Sequence, residues 1–409
     1  MKSENRKIFL ISLSVVIITF FSTYFFGYFI KLNIPYLDWR HNISVRDARV
    51  FTMEELDNIG HPLYLLNNFD SNFYLQIAIG GYDKELYKEE NKEMRNWAFY
   101  PLYPSIVSLI SGILGIISEV GIFKLGLVLS NVFFLLFLLV LYHLVKLLGY
   151  TYEDWIYLII VICVFPTSYF LNIFYTESMF MFLSTISLLF SFKKRYLLSS
   201  VFIFLSSLTR NVGVLLFVPL ALNLLNDSEI KPFKKLTNLL IYGFISGLGI
   251  LGFFTYIYSI TGNFFSSLKI QSAWGRGSIT FSVLPFKSLF IALQEFLSGS
   301  ASGDLILLIN FVITLLGILA LVYFYFLSKE NVIKKILSIY SLFYISFITS
   351  TTSSSSVARY LLVLLPILLI PIEIKEKNKM LFTIIISFFS FLHAIFLALF
   401  ILRIPSPGI

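Results

Sequence analysis

Residues 8–30, IFLISLSVVIITFFSTYFFGYFI, run on without a single charge. At about 1.5 Å per residue a helix of this length crosses a hydrocarbon core of ~30 Å, so the stretch predicts a transmembrane helix. Lys2, Arg6 and Lys7 precede it. The run is too long for a signal-peptide core and lacks a small-residue cleavage site, which predicts an uncleaved first span with a cytoplasmic N-terminus.

Outward from this span the same pattern recurs. Apolar runs follow at 99–118, 125–142, 156–176, 178–192, 196–209, 211–226, 236–261, 305–328, 336–350, 360–372 and 380–402. Hydrophobic residues make up 57% of the 409 and charged ones 13%, more apolar surface than a soluble chain of this size can bury. The expected fold is an all-α polytopic membrane protein of about 9–11 transmembrane or re-entrant helices, a single integral-membrane domain over 1–409. Several runs are too short to cross, since the segment 360–372 reaches only ~20 Å. Short spans leave polar ends inside the membrane profile, beside a wet cavity.

The net charge of +8 does not mark a nucleic-acid binder. Most Lys and Arg sit in short runs beside apolar segments, where they set orientation and meet anionic headgroups. Cys163 is the single cysteine, so no intrachain disulfide forms, and His41, His61, His143 and His393 show no metal-ligand spacing.

Lys193-Lys194-Arg195, Lys231–Lys235, Lys329–Lys335 and Lys375–Lys379 are all expected on the cytoplasmic side. Simple counting of spans puts the first of these outside. The conflict disappears if 156–176, broken at Pro166, enters and leaves on the outer side, with 196–209 and 211–226 as a hairpin rising from the cytoplasmic side. The long loop 31–98, Tyr175-Thr176-Glu177, Thr209-Arg210-Asn211, Gln271–Arg276, Ser353–Arg359 and the C-terminus then share the outer face. Such convergence of polar clusters on one side of a bundle is what an active site requires.

Within the 31–98 loop, Thr52-Met53-Glu54-Glu55 reads as a capping box opening a surface helix to about Asn67, with Leu56, Ile59, Leu63 and Leu66 on one stripe. A second helix is expected from Asp70, with Phe73, Tyr74, Ile77 and Ala78 inward and Gly80-Gly81 ending it. Residues 83–95 carry dense charge of both signs and read as a solvated loop. Residues 262–303 form a second, non-hydrophobic extracytoplasmic loop.

Three groups of residues carry chemistry, each with a structural alternative. Asp70 is either an N-cap, its carboxylate accepting amide hydrogen bonds, or a general base taking a proton from a sugar hydroxyl as it attacks an activated carbon. Trp97 to Pro104, with Tyr100 and Tyr103, is either an interfacial aromatic belt or a rigid wall on which a sugar or prenyl chain stacks. Arg210 and Arg359 lie among apolar runs, where a guanidinium needs a partner: a carboxylate such as Glu177, headgroups, or a bound phosphate. Trp274-Gly275-Arg276 lies in the loop 262–303, where position says little.

The stretch Phe69-Asp70-Ser71-Asn72-Phe73-Tyr74-Leu75-Gln76-Ile77-Ala78, running on to Gly80-Gly81-Tyr82 and followed by Ala98-Phe99-Tyr100-Pro101-Leu102-Tyr103-Pro104, resembles the signature of the PIG-V family. These are multi-spanning mannosyltransferases of the GT-C fold. Tyr175-Thr176-Glu177-Ser178, Arg210-Asn211-Val212-Gly213, Gln271 through Trp274-Gly275-Arg276, and Arg359-Tyr360 before Pro366 resemble later family blocks in the same order. Phe69 stands where the family usually has Trp, and Phe73 where its eukaryotic members often have His.

The resemblance implies a GT-C-type bundle and inverting transfer of a sugar, mannose in the first instance, from a polyprenyl-phosphate donor to a glycolipid or glycan acceptor outside the cytoplasm. It assigns Asp70 as the catalytic base and Arg276, Arg210 and Arg359 as candidates to hold the departing phosphate. Glu177, Tyr175, Gln271, Trp274, Trp97, Tyr100 and Tyr103 are the substrate-binding candidates. No Asp-x-Asp pair flanks Asp70, so the sequence requires no cofactor, although Asp70 with Asp38 or Asp47 offers a place for a divalent ion. The rival class is a transporter or flippase, which predicts related halves, and no half-to-half similarity is present.

Overall fold

A computed structural model describes residues 2–34, 62–88, 94–274, 285–298, 305–328, 331–351 and 356–404. The Thr52 capping box and most of the helix it was expected to open lie outside the described residues. Only the end of that segment, a 3₁₀ turn over Pro62–Leu66, falls within them.

Among the described residues all regular structure is helical. Five helices are long and apolar enough to cross a membrane: α1 (Lys2–Asn33), α4 (Glu119–Leu147), α9 (Pro232–Thr261), α11 (Leu305–Leu327) and α15 (Lys379–Ile401). Between them lie shorter helices: α2 (Asp70–Gly80), α3 (Leu102–Leu114), α5 (Tyr152–Val164), α6 (Glu177–Phe192), α7 (Tyr196–Ser207), α8 (Phe217–Asn226), α10 (Lys287–Leu297), α12 (Val332–Ile348), α13 (Val357–Leu362) and α14 (Leu365–Lys377). Local signals set the ends. Ser118 accepts from Gly121 N to start α4, Thr151 and Asp154 form a capping box for α5, and Asn378 caps α15. Gly81, at φ 76°, stops α2 in a conformation that costs glycine little.

One end of the bundle is tied together by charges. Glu4 of α1 accepts from Tyr142 and pairs with Lys146 of α4. Glu373 of α14 takes Lys334 of α12 at 2.8 Å, and Lys375 reaches Asp154 of α5 at 3.1 Å. Lys194 in the α6–α7 turn reaches Asp227 after α8 at 3.0 Å, and its ammonium holds that carboxyl below the usual carboxylate range. Lys235 of α9 donates to Leu225 O in the same region. Clusters expected on one side of the membrane are thus gathered at one end of the molecule.

The route by which this happens differs from the sequence expectation. It is α3, not 156–176, that stays in the opposite half. Tyr103 near its start bonds Gly126 O, and the chain turns at Gly115 into α4, so α3 runs outward antiparallel to the first turns of α4. Helix α5 instead begins at the charged end and stops at Phe165-Pro166, and α6 returns from Glu177 to Lys193. The pair α7 and Asn211–Asn226 does rise from and return to the charged end.

Helices α5 to α8 have 10 to 16 residues, so each covers ~15–24 Å. The inner ends of α6 and α7 lie at the level where Tyr103 meets Gly126 and Ser130, since Ser130 also donates to Tyr175 O and Leu102 N bonds Leu208 O, roughly 10–17 Å along α4 from its start at Glu119. Long helices surround a floor built from half-length ones. The segment 262–303 is also less loop-like than expected: it holds the turns Ser266–Lys269 and Ile270–Trp274 and helix α10, on which Phe290 and Leu297 are exposed as in an interfacial helix.

Candidate functional site

The half-length helices end where the polar residues sit. Asp70 is the first residue of α2 and Glu177 the first of α6, so both carboxylates lie at positively polarised helix starts. Arg359 lies in the last turn of α13, and Arg210 stands between the end of α7 and the start of the 3₁₀ turn Asn211–Leu216 that leads into α8. Three of these charges are buried and Asp70 is part-buried, and each is matched by an opposite charge of the group.

Their contacts form a chain. Arg359 Nη1 donates to Asp70 Oδ2 at 2.9 Å, and its Nε lies 3.3 Å from Glu177 Oε1. Arg210 Nη1 donates to the same Glu177 oxygen at 2.5 Å. The guanidinium of Arg210 stacks on Tyr360 at 4.9 Å and that of Arg359 on Phe170 at 5.2 Å. Side-chain exposure separates the members: Glu177 is 1% exposed, Arg359 6%, and Asp70 23%. Glu177 is the buried hub and Asp70 the member that meets the outside.

Asp70, Arg359 and Arg210 line a cavity of about 80 Å³ together with Tyr74, Tyr100 and Gln271. The cavity is small and partly open to the outside. Asp70 is the one carboxylate among the described lining residues, and its Oδ1 takes no hydrogen bond from a described residue. Arg210 has Glu177 as its described carboxylate partner, which leaves further guanidinium donors at the cavity.

The structure brings together Asp70, Glu177, Arg210, Arg359, Tyr100 and Gln271, drawn from segments up to 289 residues apart. The N-cap reading of Asp70 is corrected. Phe69 occupies the cap, no side chain caps α2, and the carboxylate is spent on Arg359 instead. Three of the substrate-binding candidates lie away from this cavity. Trp97 is buried with Nε1 donating to Asp83 O at 2.8 Å, and Tyr103 is buried with its hydroxyl on Gly126 O and Ser130. Tyr175 lies behind Asp70, its hydroxyl accepting the Asp70 N–H at 3.0 Å and donating to Asn68 O at 2.9 Å. All three lie outside the cavity lining because each polar tip already has a backbone partner within the fold. Trp274 closes the Ile270–Trp274 turn beside Gln271. Arg276, Asp38 and Asp47 lie outside the described residues, and among the described ones no group of three metal-ligating side chains is present.

Sequence reasoning passed over Asn68, and it gave Tyr74, Thr209 and Asn211 no individual role at the site, although Thr209-Arg210-Asn211 was marked as a polar cluster. Asn67-Asn68 was the available signal, two amides directly before Phe69-Asp70 in an otherwise apolar context.

No curated protein and no solved structure matches the chain. The sequence model of the family described as Mannosyltransferase (PIG-V) matches residues 28–279, which include Asp70, Glu177, Arg210 and Gln271. With well over half of its length matched, the chain belongs to the PIG-V mannosyltransferase family and is a multi-pass membrane glycosyltransferase.

Proposed function

We propose that this mannosyltransferase takes mannose from a polyprenyl-phosphate donor and passes it, with inversion, to a hydroxyl of a glycolipid or glycan on the extracytoplasmic side. The observation that carries the reading is the cavity in which Asp70 stands opposite Arg210 and beside Arg359. The acceptor oxygen attacks the anomeric carbon while the bond from that carbon to the phosphate oxygen breaks. Asp70 takes the hydroxyl proton, and the lipid phosphate leaves with the electron pair. Arg359 fixes the direction of the Asp70 carboxylate. Arg210, with donors to spare, meets the charge that grows on the departing phosphate.

Two features support a lipid donor. The site lies among the ends of half-length helices, within the depth that the long helices span. A second, more open cavity of about 610 Å³ lies between α2, α3 and α9, lined by residues such as Ile77, Ser108, Gly252 and Phe253. It backs onto the first across adjacent residues, since Tyr100 and Thr209 line one space and Pro101 and Leu208 the other. Its volume is within the range of ~300–1,000 Å³ of ligand pockets, and its wall suits an isoprenoid chain. The basic end of the bundle is then cytoplasmic, as is the N-terminus. Should transfer prove to need a divalent ion, Asp70 is the residue we expect to hold it.

The test is mannose transfer from labelled polyprenyl-phosphate mannose in membranes, wild type against Asp70→Asn at matched expression. Transfer by wild type and its loss in a folded D70N protein is the expected result. Equal transfer by both removes Asp70 from the chemistry, and transfer by neither points to another donor.

A further inference from the structure

Asp70 leaves a turn that the backbone does not favour. Phe69, at φ 53° and ψ −122°, has a positive φ that an L side chain rarely adopts, and no side chain caps the helix that follows. The turn is held from behind by Asn68, which is 1% exposed. Asn68 Nδ2 donates to Leu65 O at 2.9 Å and to Phe400 O of α15 at 3.1 Å. Its own carbonyl accepts the Tyr175 hydroxyl that in turn accepts the Asp70 N–H. Its Oδ1 accepts Nε of Arg403 at 2.6 Å, a charge-assisted bond from just past the end of α15.

Arg403 is itself at a position that favours another residue. Ile404 N bonds Leu399 O and Arg403 N bonds Phe400 O, the pattern of a helix end closed by a residue in the left-handed region, and Arg403 has φ 58°. Glycine is the usual occupant of such a position. An arginine there indicates that the side chain, rather than the backbone, is what the position requires.

We infer that Arg403 is a positioning residue for mannosyl transfer. Through Asn68 it locks the Phe69 turn, and with the Tyr175 hydroxyl it fixes the direction in which Asp70 meets the acceptor. The inference rests on the reading of Asp70 as the base. Arg403 lies outside residues 28–279, so the family match does not assign it.

The discriminating variant is Arg403→Gly, which relieves the backbone while removing the guanidinium. Relief of the backbone offsets part of the lost Asn68 bond, so its melting temperature in detergent should fall by no more than a few degrees, too little for unfolding to explain a loss of activity. Its kcat should fall roughly 10- to 100-fold, the scale of an ~1 Å misplacement, with donor KM changed less than about twofold. Arg403→Lys should recover part of the loss. Tyr175→Phe should lower kcat as well, and the double variant should lose little more than the worse single one, because both act on one turn. Wild-type kcat in R403G, a loss confined to KM, or multiplying losses in the double variant would each overturn the inference. If R403G fails to fold, the kcat of Arg403→Lys and the Y175F cycle built on it decide the matter. Full transfer by D70N sinks the base reading and this inference together. An inactive D70N beside a fully active R403G sinks this inference alone.

Discussion

Replacing Glu177 with Gln should destabilise the protein far more than a one-atom change suggests, and removing Arg210 as well should return most of the loss. Glu177 is 1% exposed, with Arg210 at 2.5 Å and Arg359 at 3.3 Å on the same oxygen. With charge centres ~4 Å apart and an effective dielectric of about 20, each pair is worth roughly 4 kcal/mol. Glutamine forfeits both attractions and returns the desolvation cost of one carboxylate, several kcal/mol, for a net loss of about 3–5 kcal/mol. The cluster then carries one excess positive charge. In the pair Glu177→Gln with Arg210→Met, Asp70 and Arg359 still cancel, and the remaining cost should be about 1–2 kcal/mol. Equilibrium unfolding in mixed detergent micelles, run on wild type, both singles and the double, gives the coupling directly. A coupling of at least ~2 kcal/mol is expected, and singles that add to within about 0.5 kcal/mol refute the idea that these charges act as one unit.

Two further outcomes follow from the packing. A Cβ on Gly249 of α9 would lie 2.1 Å from Ser207 Oγ and 2.5 Å from Phe204 O, so Gly249→Ala should cost about 1–3 kcal/mol and reduce transfer by displacing the end of α7 that carries Arg210. Gly247→Ala, two residues away with nothing within 4 Å, should instead be neutral or gain up to ~1 kcal/mol in a thermal melt, and equal losses at both sites would contradict the α7–α9 contact. Filling the larger cavity with Gly252→Trp or Ser108→Trp should raise KM about tenfold for a long polyprenyl donor, ~1.4 kcal/mol of binding, and leave a short-chain analogue unaffected. Equal effects on both donors would remove the chain from that groove.

The local part of this architecture was legible in the sequence and the long-range part was not. The extent of α2, its inward residues Phe73, Tyr74, Ile77 and Ala78, and its stop at Gly81 follow from periodicity and one glycine. The short apolar runs told of helices that do not cross. Which run stayed in one half was misread, because 99–118 and 156–176 have similar lengths, and only the Tyr103–Gly126 contact shows α3 lying beside the start of α4. The cap alternative for Asp70 failed for a related reason. Its partner Arg359 is 289 residues away, and a guanidinium outcompetes backbone amides for a carboxylate. Trp97 and Tyr103 were candidates for substrate contact because an aromatic looks the same in sequence whether its polar tip meets a ligand or, as here, a carbonyl inside the fold. Asn68 and Arg403 lie 335 residues apart, and no local pattern relates them.

The charge balance of the cluster bears on how such a site works within a membrane. Two carboxylates and two guanidinium groups cancel, and both carboxylates sit at helix starts, so the resting cluster holds charge without carrying a net charge. On the proposed reaction this neutrality lasts only until the acceptor gives up its proton. Protonation of Asp70 leaves Arg359 and Arg210 sharing Glu177 alone, and the cluster becomes net positive. At that moment the bond to phosphate is breaking and negative charge is gathering on the leaving group. The proton transfer therefore strengthens the pull on the phosphate when it is needed, from guanidinium groups that are themselves buried, where a charge counts for more than in water. Glu177 sets the size of this effect: as the buried hub it offsets the repulsion between the two arginines, yet it does not line the cavity where the proton is released. A carboxylate held back from the cavity and a carboxylate presented to it are thus two halves of one electrostatic device, and exchanging their exposures would abolish it.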